Sequence, residues 1–464
     1  MKIQKFNHRG WQRFSKPWKN NSFTFPSLGK IFFLCVPLCP LWLNSSVLAQ
    51  DLIKPEQIVQ AVLVHSPVLQ SAESEEHAAA ARAAQALAGG RPTLTADARA
   101  AHYWGLSDQQ LGPQIVIPGV PDRYNAGLQA MQPLYTGGRV RGQRAATALA
   151  RAAAGQTRRG AEADVTLAAL TAYWSWSQAF HALESFRAAV KRVEQHNTDI
   201  QNEFKAGLVT ESDALATTVQ MENTRLQLAE AERRTELARA RIAYLTGHAL
   251  PPEAQPLAAT GATENFVPAE KDLLDQARTN RAEALARRLE VRVAGEQVET
   301  ARADHRPQFN AVARYEQARP NVLDIPPEDQ WNYDAFVGLT ASWNIWDSGL
   351  TRAKIAEASA HREQAQQRQQ QTDDQIALEV RTARVDLANA CERLTVAQRA
   401  AESARRNLKV ADDLWKNGLT RHVDLLDAHA KLTDAEVQVS ATRAEVEFAR
   451  AAREHATGNL DAKP

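Results

Sequence analysis

Four short stretches of the chain alternate between apolar and polar positions, and two far longer ones run without a proline. Leu94, Ala96, Ala98 and Ala100 alternate with Thr95, Asp97 and Arg99, and Tyr124, Ala126, Leu128 and Ala130 alternate with Asn125, Gly127 and Gln129. The pattern returns with Phe309, Ala311, Ala313 and Tyr315 set against Gln308, Asn310, Arg314 and Glu316. It returns again with Ala335, Val337, Leu339, Ala341, Trp343 and Ile345 set against Asp334, Gly338, Thr340, Ser342 and Asn344; Val312 and Phe336 break it. A period of two predicts strands with one apolar and one polar face. From about Arg139 to Phe204, and from Leu350 to Trp415, no proline interrupts the chain. A helix of about 65 residues runs roughly 100 Å, which a globular domain cannot bury but a coiled coil can. Each ends in a Gly-Leu turn. The chain then returns with Leu215, Val219, Leu226, Leu237 and Tyr244 on one helical face, or with Leu426, Ala430, Val437, Phe448 and His455 in the second case. Alanines between these positions predict close helix packing along that face.

The two halves are copies of one another. Gly127-Leu-Gln-Ala-Met-Gln-Pro-Leu-Tyr-Thr-Gly-Gly138 aligns with Gly338-Leu-Thr-Ala-Ser-Trp-Asn-Ile-Trp-Asp-Ser-Gly349 at an offset of 211. The same offset superimposes Phe204-Lys-Ala-Gly-Leu208 on Trp415-Lys-Asn-Gly-Leu419, Asp213 on Asp424, and Leu245-Thr-Gly247 on Ala456-Thr-Gly458. Upstream, an offset of 215 pairs Arg91-Pro92 with Arg306-Pro307. The expected layout is a repeat over 50–250, a Pro/Ala/Thr-rich linker over 251–267 and a second repeat over 268–464. Two such units are too few for a solenoid and read as a duplication.

Residues 1–49 read as an export signal. Lys2, Lys5, Arg9, Arg13, Lys16, Lys19 and Lys30 precede an apolar run, Ile31 to Leu43, and a Val47-Leu-Ala49 cleavage site. Its removal leaves Cys391 alone, so the exported chain has no internal disulfide and no cysteine-based metal site. Composition is near neutral, with 55 Lys+Arg against 54 Asp+Glu, and the mean hydropathy is −0.43. This balance argues against a nucleic-acid binder, and no later apolar run is long enough for a membrane helix. The chain carries no His-Glu-x-x-His, no Gly-x-Ser-x-Gly and no phosphate-binding Gly-x(4)-Gly-Lys-Ser/Thr. We therefore expect no enzyme, cofactor or metal site. Gly137-Gly138 and Gly349 read as strand-to-helix turns.

Four strands cannot close a barrel, and open edges are forbidden in lipid and hazardous in water. If their apolar faces look toward lipid, several chains must pool their strands; three would give twelve. Tyr103, Trp104, Tyr124, Tyr135, Tyr315, Trp331, Tyr333 and Trp346 cluster at strand ends, where interfacial aromatics belong.

The duplicated helix–strand–strand–helix–helix plan resembles the TolC-like family of trimeric outer-membrane efflux and secretion channels. Three marks occur in each copy: the Arg-Pro entry to the first strand, the Gly turn from strand to helix, and a tip of form aromatic-Lys-x-Gly-Leu-x(4)-Asp-x-Leu. The resemblance implies an α+β membrane protein, its long α-helical coiled-coil barrel joined to a transmembrane β-barrel of four strands per chain. It implies a homotrimer in the outer membrane of a Gram-negative bacterium, reaching through the periplasm toward an adaptor protein and an inner-membrane pump of RND, ABC or MFS type.

The resemblance assigns Gly207, Leu208, Gly418 and Leu419, at the hairpin tips, to adaptor docking. Asp424 and Asp427 stand three apart on one helical face, and copy one has Ala216 where Asp427 stands. Val423-Asp-Leu-Leu-Asp-Ala428 matches the family pattern whose aspartates line the periplasmic entrance. Threefold symmetry would gather six carboxylates there, with raised, coupled pKa values. Trp415 would supply the aromatic part of an entrance latch. Thr420 stands where some members carry an arginine, and Arg421 lies one place later. His422 and His429 lie close by, seven apart, as surface histidines often do. A periplasmic coiled-coil adaptor or scaffold is the alternative; it predicts a single hairpin flanked by compact β-domains.

Overall fold

The computed structural model describes residues 52–460 apart from 114, 118, 262–268, 322 and 325–327. The expected signal peptide and part of the expected linker lie outside the described residues. Strand β1 (Leu52–Ile53) leads into α1 (Pro55–His65) and α2 (Pro67–Ala88). Strands β2 (Thr93–His102), β3 (Gln109–Leu111), β4 (Ile115–Ile117) and β5 (Asp122–Thr136) follow, then α3 (Arg139–Lys205) and α4 (Glu211–Thr246). After β6 (Gln255–Pro256), the second copy repeats the plan as α5 (Glu270–Asn280), α6 (Ala282–Arg302), β7 (Gln308–Arg319), β8 (Asn332–Ser342), α7 (Leu350–Lys416) and α8 (His422–Thr457). The alternating stretches form the strands, except that β8 ends at Ser342 and leaves Trp343 and Ile345 beyond it, and the proline-free stretches form single helices. The first helix of the plan is in fact two, α1 and α2. Pro67 disfavours helical geometry at Ser66, which ends α1 and caps α2 by accepting from the Leu69 N–H at 3.4 Å.

Strands β2, β5, β7 and β8 form one antiparallel sheet in that order. Opposed residues share a face, so register assigns the two surfaces. Leu94, Ala130, Ala313 and Val337 lie in one row across the sheet, with Ala96, Leu128, Tyr315 and Ala335 in the next. This face is apolar and uncovered: Val337 is 86% exposed and Leu339 76%. The opposite face holds Asp97, Asn125, Gln129, Arg314 and Glu316. Arg314 donates to Glu316 at 2.8 Å, to Gln129 at 3.1 Å and to Asp97 at 3.3 Å. Asn125 donates to Glu316 at 2.8 Å. The two breaks in alternation fall on this polar face, Val312 opposite Met131 and Phe336 opposite Arg314. Strands β2 and β8 are its two edges, each with one unpaired side.

Helices α3 and α7 are each 67 residues, and α4 and α8 are each 36. Below the sheet the layer runs α2–α3–α6–α7, and toward the tips it runs α4–α3–α8–α7. Midway, Tyr173 and Trp176 on α3 are fully buried among Ile58, Val62 and Ile242. The Tyr173 hydroxyl donates to the Ile53 carbonyl at 2.7 Å and accepts from the Leu257 N–H at 2.8 Å. Burial pushes its pKa up to about 12. Among the described residues no helix is long and apolar enough to cross a membrane.

The copies meet along one seam: β5 pairs with β7, and α3 packs on α6 and α8. On the α8 side of that seam Leu426 is buried, Phe448 packs against the α3 core, and His455 meets Asp164 at 2.7 Å. The α4 residues at the matching places are uncovered. Leu215, Val219, Leu226 and Leu237 are exposed and Tyr244 is 82% exposed. Both stripes are packing faces by their sequence pattern; within the chain only the second is covered. Helix α4 instead turns Ala214, Thr217, Ala231, Thr235 and Ile242 inward. On the other side, Trp174 of α3 is buried, whereas Val385, its counterpart on α7, is exposed.

Candidate channel entrance and hairpin tips

The two tips are built alike. In the first, the Leu208 N–H donates to the Glu203 carbonyl at 2.9 Å and the Gly207 N–H to Phe204 at 2.9 Å. In the second, Leu419 donates to Leu414 at 2.9 Å and Gly418 to Trp415 at 2.8 Å. This is a left-handed helix cap, with φ +77° at Gly207 and +68° at Gly418, where a side chain would be strained. The cap turns Leu208 and Leu419 outward, 75% and 72% exposed. Each tip therefore presents an apolar residue to solvent on a rigid turn.

Gly138 and Gly349 are the N-cap residues of α3 and α7. Gly137 stands where the copies touch: a Cβ there would lie 2.5 Å from the Ala303 carbonyl oxygen. Arg306, from the Arg-Pro entry of copy two, donates to the Gly137 carbonyl at 3.0 Å. That role was not visible in the motif, because the two groups lie in different copies.

Beyond the tips the copies diverge. Asp213 completes a capping box with Thr210, whose hydroxyl accepts from the Asp213 N–H at 3.2 Å. In the second copy Arg421 replaces that threonine. It donates to both carboxylate oxygens of Asp424, at 3.2 and 3.4 Å, and Thr420 adds a bond at 3.1 Å. These contacts, the arginine first, lower the Asp424 pKa within the chain. The expectation of a raised value rests on crowding between copies, whereas within the chain Arg421 acts in the opposite direction. Asp427 pairs with Lys431 at 2.6 Å, a partner that the i,i+4 spacing could have disclosed. Both aspartates are exposed at the start of α8.

Trp415 lies with its ring centroid 5.1 Å from that of His422, which is 3% exposed. His196, on α3, stacks on His422 at 4.9 Å and lies 5.8 Å from His429. The histidines thus belong to the seam between α3 and α8 rather than to the surface. Burial lowers the pKa of all three, that of His196 to about 4, with the neighbouring imidazoles adding to its shift. Among the described residues no group of three His, Cys, Asp or Glu side chains is arranged to hold a metal ion. His196 escaped the sequence reading because nothing local marks it.

An amphipathic sheet on a long double hairpin with free edges describes a subunit of a β-barrel channel with a helical extension. The family model for outer membrane efflux proteins matches residues 58–248 and 273–459, and the chain belongs to that family. Members of the family are channels rather than enzymes. No curated protein matches the chain. Among solved structures it is similar to a membrane protein from Pseudomonas aeruginosa, at 20% identity and TM-score 0.75, covering 89% of this chain and 93% of that one. It is also similar to the outer membrane protein VceC from Vibrio cholerae, at 19% identity and TM-score 0.71, covering 87% and 96%. The open state of the Neisseria gonorrhoeae MtrE outer membrane channel gives 18% identity and TM-score 0.70, covering 88% and 90%. These likenesses establish the shared fold. Family membership and the two hairpins set aside the adaptor alternative.

Proposed function

We propose that the chain is the outer-membrane exit duct of a tripartite efflux pump or type I secretion system, working as a homotrimer. The observation that carries this reading is the pair of matching free edges. Within the chain, the trailing edge of copy one (β5 and α3) receives the leading edge of copy two (β7, α6 and α8). The trailing edge of copy two (β8 and α7) and the leading edge of copy one (β2, α2 and α4) are both open. The repeat makes them suited to each other in the same manner, so chains join head to tail and the ring closes. Three chains give a twelve-stranded barrel with the apolar row outward to outer-membrane lipid and Arg314, Glu316 and Asp97 facing the lumen. The helices stand below it in the periplasm as a barrel of paired rods.

In this assembly Asp424 and Asp427 surround the periplasmic entrance, with Trp415 behind them. Leu208 and Leu419, on the turns made by Gly207 and Gly418, offer apolar contacts for an adaptor linked to an inner-membrane pump. The test is twofold. The protein should fractionate with the outer membrane and run as a trimer in mild detergent; a soluble monomer overturns the reading. Replacing Asp424 and Asp427 by Ala should raise single-channel conductance and weaken block by multivalent cations; unchanged conductance and block remove the aspartates from the constriction.

A further inference from the structure

Three imidazoles meet where α3 crosses the start of α8, and each carries a buried ring nitrogen with no hydrogen-bond partner: Nε2 of His196, Nδ1 of His422 and Nδ1 of His429. Their bonding identifies the protonation state that fits. The Thr217 hydroxyl donates to the Asp213 carbonyl at 2.8 Å, so toward His422 it can only accept. Nε2 of His422, 2.6 Å away, is therefore the protonated nitrogen, and Nδ1 is a bare lone pair. A second proton would have to sit on Nδ1, buried and without an acceptor. It would also place positive charges on rings stacked 4.9 and 5.8 Å apart.

The surroundings do not compensate. On α3, Asp199 accepts from Gln195 and Arg192 adds positive charge, itself 3.5 Å from Glu436 of α8. On α4, Asp213 is engaged by Thr210. On α7, Asp412 pairs with Lys416 at 2.6 Å, and Trp415 closes over His422. No carboxylate among the described residues bonds to any of the three rings. The cluster is also particular to the seam within the chain. At the matching places on the open edges, 211 residues away, stand Asn407, Glu211 and Thr218.

We propose that His196, His422 and His429 form an acid-released latch: neutral, they hold α3 against α8 beside the entrance, and protonation drives that seam apart. Periplasmic acidification would then loosen the entrance at the three seams within chains and spare those between chains. This latch rests on the channel reading for its consequence, but not for its existence. An imidazole that titrates near 6.5 when freed and about 4 when packed favours the separated state on the acid side. For His196 alone, the separated population should grow about twentyfold from pH 7 to pH 5.

The test is amide hydrogen exchange on the intact chain in mild detergent, corrected for the intrinsic pH dependence of exchange, followed over residues 190–203 and 421–433. The expected result is protection lost at pH 5 in the wild type and retained in the triple variant His196→Gln, His422→Gln, His429→Gln. Protection unchanged at pH 5 in the wild type, or lost equally in the triple variant, overturns the proposal. Should the triple variant fail to fold, His196→Gln alone must move the loss to lower pH; a loss at the same pH overturns the proposal. Planar-bilayer conductance at both pH values separates the two readings. Acid loss of protection with no conduction at either pH supports the latch and overturns the channel; conduction with unaltered protection does the reverse.

Discussion

Asp424 and Asp213 occupy equivalent places and have different partners, a divergence that comes down to one residue. Thr210 caps α4 and holds Asp213 in a capping box, whereas Arg421 turns Asp424 into half of an exposed ion pair. At the proposed entrance Arg421 would therefore moderate the charge that Asp424 presents. Replacing it with Ala should strengthen multivalent-cation block near neutral pH, because Asp424 then stands unpaired. The sign with pH follows from the lowered pKa: with Arg421 present, Asp424 keeps its charge to lower pH. Block in Arg421→Ala should therefore disappear at a higher pH on acidification than block in the wild type, a comparison bilayer recordings make directly. That Asp424 and Asp427 share an exposed helix face was legible from their spacing, and their assignment to an entrance rests on the resemblance. Arg421 was visible one place from an expected position, but its bidentate contact needed the turn of the chain. His196 was not legible, since its partners lie more than 220 residues away.

At the scale of elements, the proposed assembly makes the seam inside the chain a template for a seam between chains. His455 meets Asp164 across the internal seam at 2.7 Å. The equivalents at offset 211 are Tyr244 and Gln375, both on open edges. Cysteines placed at these two positions, in a chain whose Cys391 is replaced by Ser, should form disulfides between subunits. A ladder of dimers and trimers on a non-reducing gel is the expected outcome, and an intramolecular bond only would refute head-to-tail joining. Charge in the uncovered α4 stripe, as in Leu226→Glu, should abolish the trimer in mild detergent while the helical content persists. The strands could be read from an alternation that only Val312 and Phe336 break, and the long helices from stretches without proline. Which stripe is covered within the chain could not, because Leu215 and Leu426 carry the same pattern.

For the molecule as a whole, the two faces of the sheet set the outcome of substitutions that are chemically identical. Leu339 belongs to the apolar row and Gln129 to the polar one. Arginine at Leu339 should destabilise the folded barrel by about 2–4 kcal/mol if that row crosses the bilayer midplane. Arginine at Gln129 should be tolerated. Heat-dependent migration of the trimer on gels, compared between the two variants, checks this; equal effects would mean that the sheet does not separate lipid from lumen. Low hydropathy concealed this membrane face, since only alternate residues in four strands contribute to it.

The equal lengths of the paired helices carry a further constraint, on how such a duct can evolve. Adding one residue to α3 alone would turn everything beyond it by 100° and push its tip 1.5 Å past that of α7. The stripe facing the neighbour would rotate out of register and the rim would no longer be level. A viable change in length must therefore be made in both copies and in both limbs of each hairpin, in steps near seven residues that restore the facing side. The duct should lengthen or shorten across its relatives in coordinated blocks, with single insertions confined to the loops that join the strands.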